Sequence, residues 1–199
     1  MHPSVARNRA GQGAGSTAAM SPLDELGGGV WRVDSGFSSV TFSVRHLGVR
    51  DYRVGFAEIV GALDAVIGSL EISVALDSLD LNQPDIRKRL LSAEFLDAAT
   101  YPDVRFVAAE VRGDGQTRDV IVPGALTIHG VTREAEAKGR MGVPGPALLT
   151  GLDQVTVELA VTIDRREFGL DWQEELPGGG ATLSNDVTIE AVLEFAREG

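Results

Sequence analysis

The sequence predicts an all-β fold, an antiparallel sandwich or closed barrel, on three observations. Apolar and polar residues alternate with a period of two over most of the chain, the mark of strands with one face packed and the other wet. Gly, Pro and Asp clusters punctuate these runs at turn-like intervals. No regular exchange of strands with long helices occurs, which excludes doubly wound α/β architectures.

In order along the chain, Trp31–Asp34 is the first strand candidate, followed by the row Val40, Phe42, Val44 alternating with Thr41, Ser43 and Arg45. Arg53–Leu63 reads as one further run. Leu70, Ile72, Val74 and Leu76 then alternate with Glu71, Ser73 and Ala75. Pro84–Leu96 breaks the pattern and reads as helical, with Leu90 and Leu91 on one side and Arg87, Lys88 and Arg89 outside. Val104–Val111, Val120–His129 and Glu134–Met141 are weaker strand runs, with Asp114-Gly115 and Pro144-Gly145-Pro146 as breakers. Val155, Val157, Leu159, Val161 and Ile163 form the longest clean row. A second short helical stretch is expected around Arg165–Trp172, and Val187, Ile189, Ala191 and Leu193 close the chain. The count is about nine strands.

Residues 1–29 differ in kind. They are rich in Gly, Ala and Ser, lack aromatic residues, and end in Gly27-Gly28-Gly29. Such a segment buries too little apolar surface to offset its ordering entropy, so a flexible N-terminal extension is expected ahead of one domain spanning 30–199. Arg7 and Arg9 precede Ala18-Ala19, but Gly11–Thr17 supplies no apolar core for an export signal, so a cytoplasmic protein is the default expectation. No apolar run reaches the ~18–20 residues a membrane-spanning helix needs, and no stable membrane insertion is expected.

With 29 acidic against 18 basic side chains, the formal net charge is -11. Nucleic-acid binders carry a basic stripe that releases counterions from phosphates, so nucleic acid is discarded as a partner. The same balance disfavours anionic membrane surfaces. Cysteine is absent, which removes disulfides, thiolate nucleophiles and zinc–thiolate sites.

The sequence holds no strong catalytic motif. His46 and His129 stand singly at strand-to-turn transitions, without HxH or HExxH spacing, and read as hydrogen-bonded structural groups. There is no GxSxG nucleophile elbow. Gly113-Asp114-Gly115 lacks the strand-to-helix context of a dinucleotide site, and Gly178-Gly179-Gly180 lacks the Lys-Ser/Thr of a phosphate loop. Asp164-Arg165-Arg166-Glu167 reads as a charged turn. Phe168 is expected to pack inward there, with Arg165 pairing to an acidic residue. Neither catalytic residues, metal ligands nor cofactors are assigned.

A set of words nevertheless resembles one family. Trp31-Arg32-Val33-Asp34 with Ser38–Leu47 looks like the opening of the YceI-like family. The likeness continues through Leu90–Asp97, Tyr101–Phe106 and Gly124–Thr132, and ends with Asp164–Gly169 ahead of Ser184–Ile189. The words fall in family order and cover roughly Val30–Glu194. The resemblance implies a lipocalin-like antiparallel β-barrel with one or two short helices that holds a polyisoprenoid or similar long apolar molecule. A homodimer is compatible with the family. One stretch departs from it: Ile86-Arg87-Lys88-Arg89-Leu90 stands where members often carry Arg-Asp-x-His-Leu, which alters the charge beside the expected mouth.

The inward rows bear on that interior. An eight-stranded barrel either fills with its own side chains or holds one small ligand. With two Trp, two Tyr and seven Phe in the chain, aromatic filling is limited, and an aliphatic tunnel suits a prenyl chain at about 0.8 kcal/mol per buried methylene. The expected ligand-lining residues are Phe42, Val44, Phe56, Val74, Leu76, Phe95, Phe106, Leu126, Ile128, Val157, Phe168 and Ile189. Because the chain is acidic, a neutral isoprenoid such as a prenylquinone is expected over a pyrophosphate. Three readings stay open: a lipid carrier, which is preferred; a scaffold or stress-associated protein with a filled barrel; and a lipid-modifying enzyme, which would need a titratable pair in the lumen.

Overall fold

The computed structural model describes residues 21–113, 116–173 and 181–198. The expected turn at Asp114-Gly115 and the expected loop at Gly178–Gly180 lie outside them. The strands are β1 (Val30–Val33), β2 (Ser39–His46), β3 (Arg50–Phe56), β4 (Ile59–Asp64), β5 (Ser69–Ala75) and β6 (Leu79–Asp80). After the single helix α1 (Pro84–Leu90) come β7 (Asp103–Ala108), β8 (Arg112–Gly113), β9 (Asp119–Ile128) and β10 (Val131–Met141). Then follow β11 (Gly145–Pro146), β12 (Asp153–Asp164), a 3-10 turn at Arg165–Phe168, and β13 (Leu183–Arg197).

These segments make eight staves of one closed, antiparallel barrel, because five staves are each made of two segments: β1/β2, β3/β4, β5/β6, β7/β8 and β10/β11. β1 and β2 both pair with β13, β4 and β3 pair with β1 and β2, and β5 and β6 pair with β4 and β3. The order continues β7, β9, β10, β12, and β12 closes on β13 through eleven partners from Gln154↔Ala196 to Asp164↔Asp186. The expected single run Arg53–Leu63 is thus two strands, broken at Ala57-Glu58. The break between β1 and β2 is stitched to β13: Asp34 N–H donates to the Glu194 carbonyl at 2.8 Å, and Glu194 N–H donates to Ser38 Oγ at 2.9 Å. Such breaks let a strand coil around a closed sheet while its backbone groups stay paired.

Local chemistry sets the hairpins. β9–β10 turns through His129-Gly130 alone, between Ile128 and Val131, the two-residue geometry that matches strand twist. β2–β3 turns through Leu47-Gly48 with Val49 as a third residue before the His46↔Arg50 pair, and both turn pairs are at positive φ. Gly130 is required sterically as well, since a Cβ there would meet Tyr101 Cε1 at 2.4 Å. α1 starts with Pro at its first turn, keeps no fully buried residue, and is tied down by Arg87, which donates to the carbonyls of Leu79 and Asp77. The expected helix to Leu96 therefore ends six residues early, and the expected helical stretch after Asp164 is a single 3-10 turn.

The expected 29-residue extension needs a correction. Pro22, Leu23 and Leu26 are buried, the last at 2% exposure, in a short 3-10 turn at Asp24–Leu26. Arg118 clamps this segment, reaching both Glu25 oxygens at 2.8 Å and the carbonyl of Met141 at 2.9 Å. The segment from Ser21 thus plugs the barrel end formed by the β4–β5 turn and the tail of β10. Two spaced leucines in a Gly-rich stretch carry no periodicity, so only the docked structure reveals them. Among the described residues no helix is long and apolar enough to cross a membrane.

Candidate functional site

The inward rows meet across the ladders. Phe42 lies opposite Ile189 on one side and Val54 on the other; Val44 lies between Val187 and Tyr52. Val74 faces Val104, and Phe106 faces both Ile72 and Leu126. Two spaces lie inside. The deeper, about 70 Å³, is lined only by apolar residues, among them Val74, Phe106, Leu126 and Ile189. The wider, about 280 Å³, lies towards the β2–β3 and β9–β10 turns, and its lining includes Val44, Phe56, Leu76, Phe95 and Ile128. Phe42 and Val104 belong to both linings. They form the neck between the two spaces.

Ten of the twelve expected lining residues therefore face a cavity. The other two do not. Val157 is buried opposite Leu193 and Met141, at the plugged end. Phe168 is 1% exposed and packs within the turn after β12, lining neither space.

The wide end carries the polar groups. Arg165, His129, Glu94 and Asp171 line it together with Trp172. Arg165 is 7% exposed. Its Nε donates to the Ser184 carbonyl at 3.0 Å and its Nη1 to the Leu170 carbonyl. Among the described residues its partners are thus carbonyls and not the expected acidic side chain; the adjacent Asp164 grips Arg166, and that contact holds the Asp164 carboxyl down at about 2. Among the described residues Arg165 Nη2 meets no acceptor. Burial lowers the Arg165 pKa, while the charges of Asp164 and Asp171 raise it; a guanidinium stays protonated regardless. An unmet, buried N–H costs on the order of 1–3 kcal/mol or more, a cost that an acceptor oxygen would offset once the guanidinium turned its covered Nη2 to the space.

Across the same mouth Phe95 and Trp172 stack at 4.7 Å, and the Arg89 guanidinium sits 5.3 and 5.0 Å from the two ring centres. Gln173 holds this segment in place, donating to the Leu183 carbonyl and accepting from Leu183 N–H at 3.0 Å. His129 rests edge-on against Tyr101, 4.8 Å between centroids. Reading the sequence missed Val104, Ile163 and Val187, which extend rows already visible in it. Arg165 and Trp172 had no such signal, since nothing periodic marks a residue that enters the lumen from a turn.

The wall itself is incomplete. β10 and β12 pair only from Lys138↔Ala160 to Met141↔Val157, although β10 runs back to Val131 and β12 on to Asp164. Beyond the pairing the strands splay around a space of about 490 Å³, lined by Glu134, Ala135, Glu136 and the stretch 160–164. Where they do pair they are tight: a Cβ on Gly139 would lie 1.7 Å from the Glu158 carbonyl oxygen.

The YceI-like domain model matches residues 31–195, all but the outermost residues of the barrel. The chain belongs to the YceI-like family. This YceI-like chain is 30% identical over 166 residues to the UPF0312 protein of Pseudomonas putida strain F1, covering 81% of each. To the UPF0312 protein of Shewanella denitrificans it is 33% identical over 162 residues, 79% and 83% of the two chains. Among solved structures, Burkholderia cenocepacia BcnA superposes with a TM-score of 0.68 at 20% identity, over 81% of this chain and 98% of that one. A polyisoprenoid binding domain from Saccharophagus degradans, implicated in plant cell wall breakdown, superposes at 0.61 and 15% identity, over 84% and 98%. At such identities these two likenesses speak for the barrel fold.

Proposed function

We propose that this YceI-like barrel is a non-catalytic carrier for a long apolar lipid with a neutral, oxygen-bearing head, of which a prenylquinone is the best fit. One observation carries the reading: an apolar lumen narrows inward from a mouth where a buried Arg165 N–H has no acceptor among the described residues. The chain would lie along Val44, Phe42 and Val74 towards Leu126 and Ile189, and the head oxygen would accept from Arg165. The polyisoprenoid binding domain of Saccharophagus degradans shares the architecture and supports this choice of ligand class.

Charge favours a neutral head. Glu94 and Asp171 share the mouth with Arg165, and the neighbouring Asp164 and Arg166 neutralise each other. Among the groups that line the space itself, a pyrophosphate at Arg165 would meet the carboxylates of Glu94 and Asp171, while the other cations stand outside on α1 and the β2–β3 hairpin. A quinone carbonyl needs only the one donor. Catalysis would need paired acid and base near the reacting atoms; the deep space that would hold the chain is wholly apolar, and His129, Glu94 and Asp171 stand only at the wide end, where they would meet the head.

The test is native mass spectrometry of the purified protein before and after organic extraction, followed by titration with a prenylquinone and with a prenyl pyrophosphate of equal chain length. One-to-one uptake with preference for the quinone is expected. Failure to take up either lipid would leave the filled-barrel scaffold, and preference for the pyrophosphate would overturn the neutral head.

A further inference from the structure

The charges of this acidic chain are not evenly spread. The β2–β3 hairpin and α1 both flank the mouth, since Val44 and Tyr52 of the hairpin and Leu90 of the helix line the wide space. Together these two elements carry Arg45, Arg50, Arg53, Arg87, Lys88 and Arg89 against only Asp51 and Asp85. Asp51 pairs with Arg45, and Glu190 of β13 reaches Arg53 at 3.6 Å, yet both arginine side chains keep more than half their surface in water. Arg50 and Lys88 are exposed, the former with its guanidinium over the Tyr52 ring at 5.4 Å.

Apolar side chains project from the same two elements. Val49 is 87% exposed at the hairpin tip, beside Leu47, and Ile86 is half-exposed on α1. Large apolar side chains held in water beside cations, around the entrance to an apolar cavity, have the composition of a surface that lies on lipid headgroups and dips its tips into the acyl boundary. Both elements are anchored, the hairpin by its seven-rung pairing and α1 by Arg87, which limits the ordering entropy that opposes contact.

We infer that the β2–β3 hairpin and α1 form a docking face for an anionic lipid bilayer, which sets the cavity mouth against the membrane from which the ligand is taken. The inference rests on the carrier reading and adds to it a partner and an orientation. Glu94 and Asp171 line the space inside this face, but the two elements themselves hold six cations against two carboxylates in a chain of net charge -11, and that local basic excess is what meets the anionic surface.

The experiment is co-sedimentation of the full chain with phosphatidylcholine vesicles, with and without a third phosphatidylglycerol. The variants are the double substitution Arg50→Glu/Lys88→Glu, the tip substitution Val49→Asp and, at the plugged end, Val66→Asp. All four positions are exposed, and circular dichroism checks the fold. Binding only to the phosphatidylglycerol vesicles, weakened by salt, is expected for the wild type and for Val66→Asp. The double variant and Val49→Asp should each lose about tenfold or more. No vesicle binding by the wild type, equal binding to both vesicle types, full binding by the mouth variants, or loss with Val66→Asp would each overturn the docking face. Prenylquinone uptake in solution is measured on the same samples. A wild type that binds vesicles without taking up the quinone would sink the carrier reading and leave the docking face standing.

Discussion

Val104 sits at the neck between the two interior spaces, 6% exposed and opposite Val74, so Val104→Phe should shorten the lumen without opening the fold. The substitution adds about four carbon atoms, and because empty space lies on both sides of the neck, the usual overpacking cost of about 1–3 kcal/mol should be largely relieved. The deep space of about 70 Å³ has room for about three methylenes. Denying them to a ligand forfeits about 2 kcal/mol, or roughly thirtyfold in affinity. A lipid short enough to end above the neck loses nothing. The assay is calorimetric titration with prenylquinones of increasing chain length. Affinity should climb with length in the wild type and level off early in Val104→Phe. Equal losses at every length, or none at any, would refute the idea that the chain threads past Phe42 and Val104.

The plug segment predicts a contrast: removing residues 1–20 should leave the melting temperature unchanged, while Leu26→Ala should cost about 2–5 kcal/mol in chemical denaturation. Equal effects would show that Leu26 does not seal the barrel. Phe168→Ala should cost about 3–5 kcal/mol yet leave prenylquinone affinity nearly unchanged, since Phe168 faces neither space; a large drop in affinity with a stable fold would return it to the site. The Asp164 carboxyl, held at about 2 by Arg166, lies below its unfolded value of about 3.9. Its contribution to stability is therefore complete above about pH 4 and is lost as the pH falls through about 2. An NMR titration of Asp164 should show that low midpoint in the wild type and a rise towards the ordinary carboxylate range in Arg166→Ala.

Period two carries information about face, and face is what the sequence determined. The rows Val40–Val44, Leu70–Val74 and Val155–Ile163 each lie in the ladders as their alternation predicts, because a one-residue slip would turn every apolar side chain into water. The family words then selected a barrel from among the all-β architectures. Depth along a stave has no such signature. Val157 and Ile189 belong to the same kind of row, yet one lies at the plugged end and the other lines the lumen, since depth depends on how far each strand runs before the barrel closes. Closure itself is a long-range matter, as β1 and β2 complete the sheet by pairing with β13 more than 130 residues later. The plug by Leu23 and Leu26, the entry of Arg165 into the mouth from a turn, and the gathering of six cations beside it all join residues distant in the chain. Only the tertiary structure decided these, because each depends on which strands become neighbours, and local alternation says nothing about neighbours.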